Sequence, residues 1–85
     1  MTEADRLSVH ANVPLALAQL VAMHADRLGY TLRNIRNDRR QRPLVRARWQ
    51  IIALARNEGF SLPVIGRAMN RDHTSIIHAL RTVAA

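Results

Sequence analysis

The stretch SLPVIGRAMNRDHTSIIHALR, residues Ser61 to Arg81, holds two helical patterns with only a few residues between them. Ser61 is a favoured residue for starting a helix, and Pro63 falls in the first turn, where a missing N–H costs nothing. Val64, Ile65, Ala68 and Met69 give that short helix its buried side. Asn70 suits a left-handed turn position. Arg71 or Asp72 then opens a second helix, whose apolar face is Ile76, Ile77, Leu80 and Val83 and whose other side is Arg, His, Thr and Ser. A short helix, a tight turn and a second helix that starts on polar side chains is the layout of a helix-turn-helix.

The polar start of the second helix admits three chemistries. Asp72, His73 and Ser75 are the residue types of a nucleophilic triad. Consecutive side chains on a helix diverge by roughly 100°, so Asp72 cannot orient His73 while His73 activates Ser75. A working triad gathers its groups from separate segments, and the 85 residues contain neither a nucleophile elbow nor a Gly-rich phosphate loop. No enzymatic activity is expected. His73 and His78 are five apart and lie on different helix faces, His10 and His24 are remote, and there is no Cys, so no metal is expected either.

Base reading fits the pattern better. A helix N-terminus in the major groove points its first side chains at base edges and offers free N–H groups to phosphate. Asp72 can accept from a cytosine amino group, His73 can bond a purine N7 or O6, and Thr74 can bond a base edge or touch a thymine methyl. The hydroxyls of Ser75 and Ser61 suit phosphate oxygens. Asp72 also has the plainer role of capping the helix, although that alone leaves His-Thr-Ser unexplained.

The charge distribution points the same way. Thirteen arginines, with no lysine, stand against six acids, a formal net charge of +7. Residues 1–30 hold Arg6 and Arg27 against Glu3, Asp5 and Asp26, a net −1, whereas residues 31–85 hold eleven arginines against Asp38, Glu58 and Asp72, a net +8. Seven of the arginines lie between residues 33 and 48. Such asymmetry favours a polyanionic partner, nucleic acid before an anionic membrane. Arg39, Arg40, Arg42 and Arg48 are candidates for phosphate neutralisation. An arginine just ahead of a helix can also enter the minor groove, and Arg46 and Arg48 are assigned to that junction. With one Trp, one Tyr and one Phe there is little to stack on single-stranded bases, so duplex DNA is favoured over RNA.

Eighty-five residues make one small domain, and frequent Ala with three Gly and three Pro favours helices. Residues 1–13 are poorly defined, with Leu7 and Val9 available for packing. Residues 14–43 are read as N-terminal helices and a basic connector: Pro14 starts a helix carrying Leu17, Leu20, Val21, His24 and Leu28, Gly29 stops it, and Thr31 caps a short helix with Leu32 and Ile35 inward. The connector is RNDRRQRP, Arg36 to Pro43. Residues 44–85 are a long helix from Leu44 to about Asn57, with Val45, Trp49, Ile52 and Arg56 on one stripe and Ile51 and Ala55 beside it, then the helix-turn-helix. The fold expected is an all-α small helical bundle. The acidic N-terminus lacks a signal peptide, and residues 13–23 are too short to span a bilayer, so the expected location is cytoplasmic, at the nucleoid.

The segments GYTLRNIRNDRRQRPLVRARWQIIALAR and FSLPVIGRAMNRDHTSIIHALR together resemble the C-terminal DNA-binding domain of the bacterial replication initiator DnaA. The resemblance runs from about Val21 to Arg81, and its core is Ser61-Leu62-Pro63-Val64-Ile65-Gly66 with Arg71-Asp72-His73-Thr74-Ser75-Ile76-Ile77-His78-Ala79. It implies that Arg46 enters the minor groove, that Asp72, His73 and Thr74 read bases in the major groove, and that Arg71, Ser75, Leu62 and Pro63 lie near the phosphate backbone. The sequence departs from that pattern in two places. Asn70 stands alone where the family usually has two small residues, so the turn is one residue shorter, and Trp49-Gln50 replaces a Gln and an aliphatic residue. No GxxxxGK[ST] stretch occurs, so no nucleotide or other cofactor is expected. The expected function is sequence-specific binding of double-stranded DNA, as a transcriptional regulator; alternatives are a replication-control factor at initiator-type sites, or a domain binding an acidic protein. A homodimer or a partner regulatory protein would extend the short site that one helix-turn-helix reads.

Overall fold

The computed structural model describes residues 1–84, and among them six helices: α1 Glu3–Ala11, α2 Leu15–Arg27, α3 Leu32–Arg36, α4 Arg42–Asn57, α5 Leu62–Met69 and α6 His73–Ala84. No strand occurs among the described residues, as expected for an all-α bundle. Ala85, the last residue of the expected domain, lies outside the described residues.

Four of these helices stop on one device. Asn12, Gly29, Gly59 and Asn70 all have positive φ, between 54° and 98°. The amide of the next residue then donates back to a carbonyl five residues earlier: Val13 to Ser8 (3.1 Å), Tyr30 to Ala25 (2.8 Å), Phe60 to Ala55 (3.3 Å) and Arg71 to Gly66 (2.8 Å). This is the Schellman closure, which satisfies the last carbonyls of a helix and usually tucks an apolar residue back against it. Val13, Tyr30 and Phe60 fill that role on the core. At the fourth stop the residue is Arg71, and the difference shapes the functional surface.

α1 replaces the undefined segment expected over residues 1–13. Thr2 and Asp5 close it reciprocally: the Asp5 amide donates to Thr2 Oγ1 (3.1 Å) and the Thr2 amide donates to Asp5 Oδ2 (2.8 Å). Thr31 and Asn34 repeat the arrangement at α3. Leu7 is buried, but Val9 is 73% exposed, so only the first of the two expected packing residues reaches the core. α1 lies on α2 and α5.

α4 is the central element, packed against α2, α3, α5 and α6. It starts at Arg42, two residues ahead of the expected Leu44, with Pro43 in its first turn. It buries Leu44, Ala47, Arg48, Ile51, Ile52 and Ala55. The expected stripe through Val45, Trp49 and Arg56 is therefore displaced. Val45 and Trp49 are half-buried at its edge, and Arg56 is exposed, donating to the Phe60 carbonyl (3.1 Å). Small Ala47 and Ala55 let neighbouring helices approach on the face that periodicity alone placed one residue later.

Leu17, Val21, Ile35, Ile51, Ile65, Met69 and Ile76 are the largest fully buried side chains, drawn from α2 to α6. Ile76 and Ala79 fix α6 against this core, each isoleucine of that kind contributing about 1.5–3 kcal/mol. Val83, expected on the same face, is exposed. No described helix is long and apolar enough to cross a membrane.

Candidate nucleic-acid interface

The aim of α6 is set by the turn Asn70–Asp72. Asn70 adopts φ 57°, ψ 45°, and its amide donates to the Arg67 carbonyl (3.3 Å) while that of Arg71 donates to Gly66 (2.8 Å). The chain then crosses directly over α5. A Cβ on Gly66 would lie 2.6 Å from the Arg71 carbonyl oxygen, so only glycine allows this crossing. Asp72 caps α6, accepting from the Ser75 amide at Oδ1 (2.9 Å). That bond, foremost among several local ones, holds the Asp72 carboxyl below the usual carboxylate range. His73, Thr74 and Ser75 follow in the first turn of α6, all exposed. Capping and base reading are compatible at Asp72, because one oxygen of an exposed carboxylate suffices for the cap.

Arg71 does what an apolar residue does at the other three stops, by different means. Its guanidinium donates to the carbonyls of Asn37, Arg36 (3.3 Å), Met69 (3.3 Å) and Asn70 (3.0 Å). Arg36 answers from the other side, donating to the carbonyls of Ala68 (2.9 Å) and Arg67 (3.2 Å), and the Asn70 amide side chain donates to the Arg36 carbonyl (3.1 Å). The start of the basic connector is thus bound to the turn of the helix-turn-helix.

Arg48 completes this clasp from α4. It is only 6% exposed. Its guanidinium donates to the carbonyls of Ile35 (2.8 Å), Asn34 (2.9 Å), Asn37 (2.9 Å) and Arg39 and to the Asn37 side-chain oxygen (2.9 Å). Burial, with lesser help from neighbouring arginine charge, lowers the pKa of Arg36 and Arg48; burial is also the main cause at Arg71, where Asp38 opposes it. All three stay charged, as guanidinium does in proteins. Their role is to satisfy the carbonyls of an irregular segment that has no ladder of its own.

These positions correct two expectations. Arg48 is not free to meet phosphate, since its donors are taken up by five acceptors inside the protein. Arg46 does not sit in a flexible stretch ahead of a helix: it lies in the second turn of α4, exposed. The residues that do precede α4 are Arg39 and Arg40, both exposed, with Arg42 at its first turn. Arg71, half-buried, has its guanidinium turned to carbonyls, so a phosphate contact there would compete with the clasp. At the start of α5, Ser61 is the exposed N-cap residue without a side-chain capping bond, Leu62 is half-buried and Pro63 is exposed.

A groove of about 1040 Å³ runs between α4, α6 and the connector. Arg40, Trp49, Asp72, Thr74, Ser75 and His78 are among the residues that line it. The structure therefore brings Arg40, Arg48 and Arg71 together with Asp72, Thr74 and Ser75. Arg39, Arg42, Arg46, Ser61, Leu62, Pro63 and His73 do not line that groove. Sequence reasoning missed the clasp made by Arg36 and Asn37, and it missed Trp49 and His78 as groove residues. For Trp49 and His78 a signal existed: Val45 and Trp49 are one turn apart on α4, as Thr74 and His78 are on α6. For Arg36 none existed, since a run of arginines reads as solvated charge. No group of His, Cys, Asp or Glu among the described residues is placed to hold a metal.

The family model for the bacterial dnaA protein helix-turn-helix matches residues 16–83 of the chain. No solved structure gives a significant match.

Proposed function

The chain belongs to the bacterial dnaA helix-turn-helix family over most of its length, and from that premise we propose that it reads double-stranded DNA in a sequence-specific way. The observation that carries the proposal is the exposed first turn of α6, His73 to Ser75, held at a fixed angle beside a connector that presents Arg39 and Arg40. In this reading α6 enters the major groove by its N-terminal turn. Asp72, His73 and Thr74 meet base edges, with Ser75 at the flanking phosphates. Arg39, Arg40 and Arg42 supply phosphate neutralisation, and the start of α5 at Ser61, Leu62 and Pro63 approaches the backbone. Arg46 stays in the proposal as an exposed arginine of α4, delivered to the minor groove from a helix rather than from a loop.

Base edges at a helix start and cations on a separate, rigid connector divide the labour between specificity and affinity. The role we carry forward is regulation of transcription, with replication control at initiator-type sites as the alternative. Mapping where the protein sits on the chromosome tests this. Occupancy at many promoters is the expected result; occupancy confined to the replication origin would overturn the transcriptional role. Location at the nucleoid follows from the same proposal and is read from the same map. A dimer or a partner regulator would appear as paired sites at a fixed spacing. Binding to an acidic protein through the arginines would instead show as no preference among duplex sequences at moderate salt.

A further inference from the structure

We propose that Trp49 is a specificity-determining contact that recognises the 5-methyl group of one thymine in the DNA site; the inference rests on the proposed reading of duplex DNA by α6. Trp49 is the sole tryptophan of the chain. The amphipathic pattern assigns it to the buried stripe of α4, yet it is only half-buried, while Ile51 and Ile52 beside it complete the core. Its place is the wall of the groove between α4 and α6, one turn beyond Val45 and in the same lining as Thr74, Ser75 and His78.

The two walls differ in chemistry. The α6 wall carries hydroxyls, an imidazole and a carboxylate, which suit the hydrogen-bonding edges of bases. The α4 wall carries the indole of Trp49 between Val45 and Ile52, a mainly apolar surface whose one polar group is the indole N–H donor, while Arg48 in the same lining has its guanidinium bound to carbonyls inside the protein. In the major groove the apolar feature on a base edge is the thymine methyl, and an apolar wall beside a hydrogen-bonding helix start is complementary to that group. A large aromatic surface left half open on an arginine-rich face gains by covering such a partner. The neighbouring Arg40 in the same groove keeps the DNA backbone close to the indole.

The test uses the whole chain and the duplex it enriches by in vitro selection. Each thymine is replaced in turn by uracil, which removes the methyl and nothing else. Affinity is measured for the wild type, Trp49→Gln and Trp49→Phe. For the wild type, one position should lose roughly three- to fivefold on replacement, the worth of one buried methyl. Trp49→Phe should keep most of that sensitivity, and Trp49→Gln should bind the thymine and uracil duplexes equally. Because each variant is compared with itself, any loss of fold stability cancels. Tryptophan emission, which reports one residue here, should shift to the blue on the thymine duplex and less on the uracil duplex. If every position gives the same thymine-to-uracil ratio in the wild type and in Trp49→Gln, the inference is overturned while DNA reading stands. If no duplex sequence is preferred at all, DNA reading falls and this inference with it.

Discussion

Replacing Arg48 by methionine, which fills similar space without donors, tests whether the connector is built from the inside. The arginine makes five hydrogen bonds, four to main-chain carbonyls and one to a side-chain oxygen. At about 1.5–3 kcal/mol for each bond to a charged group, the gross loss approaches ~10 kcal/mol. Most of it is returned. Asn37 is half-buried and residues 38–41 are exposed, so on release the Asn37 and Arg39 carbonyls regain water and each freed residue recovers ~1–2 kcal/mol of backbone entropy, while the Asn34 and Ile35 carbonyls of α3 are left without that partner. The net cost is then about 3 kcal/mol, against a total stability of roughly 4–13 kcal/mol for a chain of this size. That corresponds to a fall of about 12–24 °C in melting temperature for a domain of this length. Thermal denaturation followed by circular dichroism measures it. Arg48→Lys keeps the charge but not the planar fork, so it should fall by a smaller amount and still lose the connector's geometry. Its DNA binding should then respond to salt as that of an Arg39→Ala, Arg40→Ala double variant does, and adding the double change to Arg48→Lys should bring little further loss. A melting temperature within about 3 °C of wild type for Arg48→Met would refute the reasoning, because water would then serve those carbonyls as well as the arginine does.

Other expectations follow from single contacts. Gly66→Ala sets a Cβ against the Arg71 carbonyl, so it should cost about 1–3 kcal/mol in urea unfolding and tilt α6, lowering preference for the selected duplex more than binding to random duplex; an unchanged preference would show that the turn does not aim the helix. Asp72→Asn keeps a capping oxygen but removes a charge: stability near pH 7 should fall slightly, while discrimination of the preferred site falls by roughly 1–3 kcal/mol. The lowered carboxyl of Asp72 gives stability that is present above the unfolded carboxylate value of about 3.9 and is lost as pH falls through the lower folded value. Asp5 titrates the same way at α1 in both proteins, so wild type should melt above Asp72→Asn near pH 7 and the difference should close as pH falls below about 4; a difference that is constant with pH would contradict the cap. Replacing both Arg39 and Arg40 by alanine should weaken all duplexes alike and reduce the salt slope by about 2, measured by fluorescence anisotropy from low to moderate salt; an unaltered slope would remove those residues from the phosphate contacts.

The helix-turn-helix was legible because each of its signals is local. Pro63 marks a first turn, Asn70 marks a left-handed stop, and Ile76 follows the polar residues by helical spacing. α1 was legible in principle through the Thr2–Asp5 pair, but a short helix with two buried residues gives a weak apolar pattern. What the sequence concealed was the use made of its arginines. Arg39 and Arg48 are nine residues apart and chemically alike; one is exposed, and the other is in the interior binding the backbone of the first. Nothing in a run of like charges separates them, because the distinction depends on which side of α4 faces the connector. The same rotation of α4 moved Trp49 from the expected core to the edge of the groove. Periodicity places a stripe only to within about one residue, and here one residue divides core from interface.

The central claim is that the α6 start reads bases while the connector holds phosphates. It is tested most directly by measuring affinity for the in vitro selected duplex and for a shuffled duplex of equal composition, across a range of salt, with wild type and His73→Ala. The wild type should prefer the selected duplex by roughly 10³-fold or more, and His73→Ala should lose about 1–3 kcal/mol on that duplex alone with its salt slope unaltered. Equal affinity for both duplexes, or an equal loss on both when His73 is removed, would contradict it.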